Sequence, residues 1–326
     1  MDSSAIGLVA QRLSFSCRAT TAMALPEFAG AAVRGALFSA LRREVCAHHG
    51  AGRVGGDEWS PQCPICSLFA PVDATAERGR DIARPFTIEP PLQAEGIHQP
   101  GWQFSFGVTL FGQTSSLFPY IVVASRTMGH SGFGRRNQAP GQFVVNECWA
   151  EDPFSGRQQR VMDAWNTDLA APALPITDQV VAERARQIMQ GMNAPTRLTL
   201  QFLTPTRLIN EGHLGETPHF SLLIRRIIGR LRDLSLSTGT QPPDGNLENL
   251  VRMAEGIRLS NDSTRWVDLQ SYSKRSGVAS PIGGLVGEAT YEGDLSPFLH
   301  WLLWGEITHV GKDTAKGNGL YRVASF

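Results

Sequence analysis

The chain has 326 residues, 42% of them hydrophobic, with 33 glycines, 20 prolines and 30 Lys plus Arg against 30 Asp plus Glu. Zero formal net charge excludes indiscriminate polyanion binding, and the halves balance separately, with 16 basic and 17 acidic side chains in residues 1–195 and 14 and 13 in residues 196–326, so any nucleic-acid site has to be local. The length allows two domains, and no run approaches the roughly 18 apolar residues of a membrane span, which gives the expectation of a cytoplasmic protein without a membrane partner.

Of the 30 bases 27 are Arg, the side chain that forks onto phosphate and stacks on nucleobases. Five cysteines, an odd number, fit reduced thiols or a metal site better than disulfides.

In chain order, Ala5–Arg18 alternates as a strand and Pro26 opens a helix running to about His49. Residues 50–80 are irregular and polar. Strands are predicted at Ile82–Glu89 and Trp102–Phe111, a helix over Thr114–Arg126, a glycine turn GHSGFGRR at Gly129–Arg136, and a strand at Gln142–Cys148. That order is the ferredoxin-like split βαβ plan. Glu151–Pro195 reads as a linker with a short amphipathic helix around Gln179–Gly191. The plan then repeats with a strand at Leu198–Leu203, a helix at Pro218–Leu234, strands at Trp266–Tyr272 and Leu285–Tyr291, a helix at Leu295–Gly305 and a last strand at Leu320–Phe326. The expected domains are therefore 1–150, with the irregular insertion at 50–80, and 196–326, joined by 151–195.

The helix PHFSLLIRRIIGRLRDL is the clearest periodic segment. Phe220, Leu223, Ile224, Ile227, Ile228, Leu231 and Leu234 share one side; Arg225, Arg226, Gly229, Arg230 and Arg232 share the other. Such a basic face is by default simply solvated. Glycine in mid-helix costs about 1 kcal/mol relative to alanine, a loss that close approach of a ligand would offset.

The last segment, GKDTAKGNGLYRV (Gly311–Val323), holds two of the three lysines. It is not a P-loop, because Glu306 and Asp313 stand where that motif needs a glycine and a Ser or Thr. On its own it reads as a glycine-rich turn before a strand.

LTLQFLTPTRLINEG (Leu198–Gly212), HFSLLIRRIIGRL and the stretch from Ser276 to Val323 resemble, in this order, the C-terminal half of the CRISPR-associated endoribonucleases of the RAMP superfamily, which cut precursor guide RNA within its repeats. VRGALFSALRREVC (Val33–Cys46) and GHSGFGRR extend the resemblance less tightly into the first half. The resemblance implies an α+β fold of tandem ferredoxin-like domains with a glycine-rich loop on the RNA-facing surface. It implies CRISPR repeat RNA as partner, other CRISPR effector subunits as further partners, and no cofactor. Gly311, Gly317 and Gly319 would let the loop backbone approach phosphate; Lys312, Lys316, Arg135, Arg136, Arg225, Arg226 and Arg230 would contact it.

The reaction implied is attack of a ribose 2′-OH on the adjacent phosphorus, leaving a 2′,3′-cyclic phosphate and a 5′-hydroxyl. It needs a base near neutrality and a cation for the phosphate charge. His48 and His49 follow the first helix. His48 continues the stripe Arg34, Leu37, Leu41, Val45, whereas His49 turns aside by about 100° and is the better-exposed candidate. The family's tyrosine and lysine around this helix are missing, so Arg34 and Arg53 are the candidates for the charge; His130 is the reserve base. A competing use of the same histidines is structural zinc, since Cys46, Cys63 and Cys66 with His48 or His49 would make a tetrahedral set. The alternative to a nuclease is a non-catalytic guide-RNA-binding subunit of the same superfamily. A small-molecule enzyme on this scaffold would need a convergent acid/base cluster that the sequence does not display.

Overall fold

Alternation builds the first strand, β1 (Ala10–Ala19), in the computed structural model, which describes residues 6–46, 63–69, 83–135, 138–164, 168–191, 195–210, 212–272 and 279–326. Leu13, Phe15, Cys17 and Ala19 enter the first apolar core, while Arg12, Ser14, Ser16 and Arg18 lie on the opposite face. There follow β2 (Met23–Leu25), α1 (Gly30–Glu44), α2 (Pro64–Phe69), β3 (Phe86–Glu89), β4 (Gly96–His98), β5 (Gln103–Phe111), α3 (Phe118–Ser131), β6 (Phe143–Asp152) and β7 (Arg157–Asp163). The sheet order is β3-β5-β1-β6-β7, antiparallel throughout. Without β7 this is the ferredoxin-like order, with the second and third strands on one side of the first and the fourth on the other.

The second half comprises α4 (Asp178–Gly191), β8 (Arg197–Thr206), β9 (Leu208–Asn210), β10 (His213–Gly215), α5 (Phe220–Thr238), α6 (Leu247–Ala254), β11 (Arg258–Val267), β12 (Gln270–Tyr272), β13 (Ala279–Pro281), β14 (Gly284–Glu292), α7 (Leu299–Thr308) and β15 (Tyr321–Ser325). Its main sheet runs β11-β14-β8-β15, the same order again. The fold is thus α+β with the ferredoxin-like plan used twice. In α5 the predicted apolar stripe is buried, and Gly239 ends the helix in the left-handed conformation at φ 67°. Among the described residues no helix is long and apolar enough to cross a membrane.

Several element limits differ from the sequence reading. α1 begins at Gly30, four residues after Pro26, and ends at Glu44, where the N–H of Val45 closes onto Leu41 O at 2.9 Å. Residues 151–195, expected as a linker, supply a fifth strand and a docked helix. The turn before β7 is tied by Asp152, which accepts from Phe154 N at 3.0 Å, and α4 is held on α7 by Trp304 Nε1, which donates to Asp178 at 3.0 Å. The strand expected at Trp266–Tyr272 is β11, which starts at Arg258. It is an edge strand whose polar middle, Ser260–Thr264, has no alternation to read.

Candidate nucleic-acid interface

The glycine-rich loop is where the two domains close on each other. After α7 the chain turns at His309 (φ 56°), and Val310 N donates to Gly319 O at 3.0 Å, Lys312 N to Arg207 O at 3.1 Å and Gly319 N to Pro205 O at 3.1 Å. Gly317 (φ 86°) lies with its missing Cβ 3.1 Å from Gly30 Cα of α1 and 3.2 Å from Ile88 O of β3. A Cβ on Gly30 would overlap the Lys316 carbonyl, and one on Gly319 (φ 74°) would overlap that of Val310. Where these glycines were expected to bare the main chain to RNA, Thr314, Ala315 and Gly317–Leu320 are instead buried against the protein. Gly311 (φ 84°) is likewise set against Arg207 O. Of the two lysines, Lys312 is exposed, and Lys316 is half-buried and ion-paired with Asp313 at 2.8 Å.

Behind the loop, the open faces of the two sheets meet through a buried carboxylate. Glu89 of β3 receives Arg12 Nε at 2.6 Å and Nη2 at 2.9 Å from β1, and Arg322 Nη2 at 3.1 Å from β15. Arg12 also pairs with Glu151 of β6. Burial alone would push the Glu89 carboxyl up; the charge and hydrogen bonds of Arg12, with Arg322, outweigh it and hold the group down at about 2. Beside it His309 is fully buried, its Nδ1 3.2 Å from Asn318 O and its Nε2 without a partner. Burial lowers this imidazole to about 4 against the pull of Glu89, so it is neutral at pH 7. An exposed pair, Arg265–Glu27 at 2.5 Å, spans the same junction.

The sequence candidates divide between two places. At the end of α1, Arg43 donates from Nη2 to Ser131 Oγ at 3.0 Å, which sets the last turn of α1 against the last turn of α3 and its exposed His130. His48, His49, Arg53 and Arg136 lie outside the described residues. Arg135 is fixed to the first domain, with Nε on Leu25 O at 3.0 Å and Nη2 on Glu95 at 3.2 Å.

Arg34 is not at that end. It stands nine residues before Arg43, about 13 Å along the helix axis, with its guanidinium 5.2 Å from the centre of the Phe69 ring. The predicted outer basic face of α5 also divides. Arg225 and Arg232 are exposed and Arg226 is half-buried. Arg230 instead turns into the junction, where Nε donates to Thr308 O at 3.3 Å and Nη2 to Arg84 O at 3.5 Å. Glu89, Arg12, Arg84 and Arg322 were not singled out from sequence. Glu89, Arg12 and Arg322 are each an isolated charge whose partner lies far away in the chain.

The zinc expectation finds no support in the described residues. Cys46, Cys63 and Cys66 are buried in the first apolar core, and no group of three or more His, Cys, Asp or Glu there could hold a metal ion.

A family model described as an N-terminal domain matches residues 8–174, and the model of the CRISPR-associated endoribonuclease Cas6 matches residues 200–321. The second half of the chain thus matches the Cas6 family, over residues 200–321. No curated protein matches the sequence. Among solved structures, a partial Cas6-RT-Cas1–Cas2 complex is similar with a TM-score of 0.62 at 16% identity, covering 99% of this chain and 47% of that one. A Cas6 product complex gives 0.56 at 16% identity, covering 96% and 99%, and Thermus thermophilus Cas6 gives 0.53 at 15% identity, covering 97% and 98%. The chain thus spans about half of the first of these and nearly all of the other two. At such identities the likeness is one of fold, the tandem arrangement already traced strand by strand.

Proposed function

We propose that this protein acts as a Cas6-type endoribonuclease, which binds CRISPR repeat RNA and cuts it by attack of a ribose 2′-OH on the adjacent phosphorus, leaving a 2′,3′-cyclic phosphate and a 5′-hydroxyl. The observation that carries the reading is the docking of the glycine loop, within the segment matching the Cas6 endoribonuclease model, onto the first turn of α1, the helix that His48 and His49 follow. RNA held on the second domain is thereby set in a fixed relation to that helix. The nucleophile comes from the RNA itself, so the protein has to supply a base, an acid and a cation.

His49, with His48 as its alternative, removes the 2′-OH proton. His130, exposed beside the end of α1, can return a proton to the leaving 5′-oxygen. Arg43 is half exposed at the same place, and it takes the charge-stabilising role that Arg34 is too distant to fill; Arg53 is a further candidate. Lys312, Arg225 and Arg226 offer phosphate contacts that fix the strand without reading its sequence. The cut RNA passes to other CRISPR proteins, in keeping with the assembly named for one neighbour.

Transcribed repeat RNA, incubated with the full chain in excess EDTA, should be cut once per repeat, and a single 2′-deoxy nucleotide upstream of the scissile phosphate should stop cutting but not binding. His49→Ala or His48→Ala should slow cleavage by about 10²–10⁴-fold. Tight binding by the unaltered protein with no cleavage would replace this reading by the guide-RNA-binding subunit.

A further inference from the structure

The helices of the first domain cover one face of its sheet, and the opposite face carries a hollow of about 400 Å³, within the ~300–1,000 Å³ span of small-ligand sites. Ser16 of β1, Gln103 and Ser105 of β5, and Asn146 and Glu147 of β6 give it a lining of hydroxyls, amides and one carboxylate.

Strand register accounts for its shape. Ser16 stands opposite Ser105 on one side and Glu147 on the other, and Ser14 stands opposite Gly107 and Trp149. Short side chains at the middle of β1 and β5 leave a trough, and Trp149 with Glu147 forms its wall on the β6 side. The half-buried indole is held in place, since its Nε1 donates to Glu147 Oε2 at 3.2 Å. On the same face the exposed Arg18 lies two residues beyond Ser16, about 7 Å along the strand.

These groups select a ligand by chemistry. A carboxylate inside the hollow repels a phosphate but accepts hydrogen bonds from an amino group, while the indole offers a flat apolar surface. Arg18 at the margin suits a phosphate that stays outside. One nucleotide with its base turned inward meets all three demands, because unpaired bases stack on aromatic side chains and are hydrogen-bonded along their edges. Adenine, cytosine and guanine carry an exocyclic amino group for Glu147; uracil carries none.

We propose that Trp149, Glu147, Ser16 and Ser105 form a slot for one unpaired, amino-bearing nucleobase on the open face of the first sheet. The inference rests on the RNA-binding reading above and adds to it a base contact, where that reading has phosphate contacts only. The slot lies on the face turned away from α1 and α3, so its residues position the RNA and take no part in the chemistry.

The test uses the full chain with labelled tetranucleotides of adenosine, cytidine and uridine, and separately with repeat RNA. The adenosine and cytidine tetranucleotides should bind about tenfold more tightly than the uridine one. Trp149→Ala should weaken their binding about tenfold, Trp149→Phe should keep most of it, and Glu147→Gln should remove the preference over uridine. Ser105→Leu, an exposed change that fills the hollow, should weaken binding as Trp149→Ala does and answers the question if the latter unfolds. With repeat RNA in single turnover, Trp149→Ala and Ser105→Leu should raise the protein concentration for half-maximal cutting about tenfold and leave the saturating rate unchanged. Equal affinity for the three tetranucleotides, or affinities that Glu147→Gln and Ser105→Leu leave untouched, would overturn the slot. Tetranucleotide binding that depends on these residues while repeat RNA is held equally well by every variant would overturn the RNA contact and assign the slot to free nucleotides. Failure of the unaltered protein to bind repeat RNA, with residue-dependent tetranucleotide binding intact, would sink the functional reading and leave the base slot standing.

Discussion

Replacing Glu89 by glutamine removes a charge that faces both Arg12 and Arg322. The carboxyl is held at about 2 against its usual 4.5, a difference of about 2.5 units that at 1.36 kcal/mol per unit amounts to about 3 kcal/mol. The folded-state value is depressed, so this stabilisation is complete above pH 4.5 and is lost as the pH falls toward 2; about 2 of the 3 kcal/mol should be gone by pH 3. Glutamine also leaves Arg322 without its carboxylate and Arg12 with Glu151 alone. The expected loss at pH 7 is therefore about 3–5 kcal/mol, the range for breaking a buried pair from one side. Urea unfolding of both proteins at pH 7, 5, 4 and 3 measures it, and the gap between them should narrow as the pH drops. A gap below about 1 kcal/mol at pH 7, or one that stays constant to pH 3, would show that the two sheets do not depend on this carboxylate for their contact.

His309 carries a separate pH signature, because its imidazole is neutral in the fold to about pH 4 and protonates near 6.5 when unfolded. Stability should fall by about 3 kcal/mol between those values, and His309→Gln should flatten urea midpoints over that interval. Gly317→Ala and Gly319→Ala combine a left-handed backbone with contacts to fixed main chain, and each should cost about 2 kcal/mol or more in thermal unfolding; unchanged midpoints would return the loop to an open surface turn. Gly229→Ala should do the opposite, since its Cβ would meet nothing within 4 Å. A gain of up to about 1 kcal/mol is expected, and a loss would mean that the helix needs the gap.

The order of strands and helices was legible because alternation and the 3.6-residue period are local signals, and the same plan read twice already fixes which strands neighbour. What failed to show were elements without a one-sided apolar pattern. β7 reads RQQRVMD and β11 RLSNDSTRWV, both at sheet edges where solvent reaches more of the strand. Pro26 suggested the start of α1, yet the helix begins only at Gly30, the residue that allows the Lys316 carbonyl to lie against it. For the site, the helical wheel of α5 placed Arg230 with Arg225 and Arg226 but could not include a second neighbour. The carbonyls of Thr308 and Arg84 draw that one side chain inward. Arg12 and Glu89, 77 residues apart, become partners only through the register of β1, β5 and β3.

On the proposed reading the loop meets phosphate through Lys312 alone, while its glycines act at a distance from it. Its lysines looked like the binding groups and its glycines like the means of approach, but the glycines serve protein–protein contact. They let the loop backbone lie directly on Gly30 and Ile88, with no side chains between, which is as close as two domains can be held. That contact fixes the first turn of α1 to the second domain, whereas the last turn of α1 rests on α3 through Arg43 and Ser131. The 15 residues of α1 then form a spacer of about 22 Å between the loop contact at Gly30 and the end that leads to His48 and His49. On the proposed reading, holding RNA and cutting it are placed at opposite ends of one helix. The unusual glycine content of the loop is what keeps that separation constant.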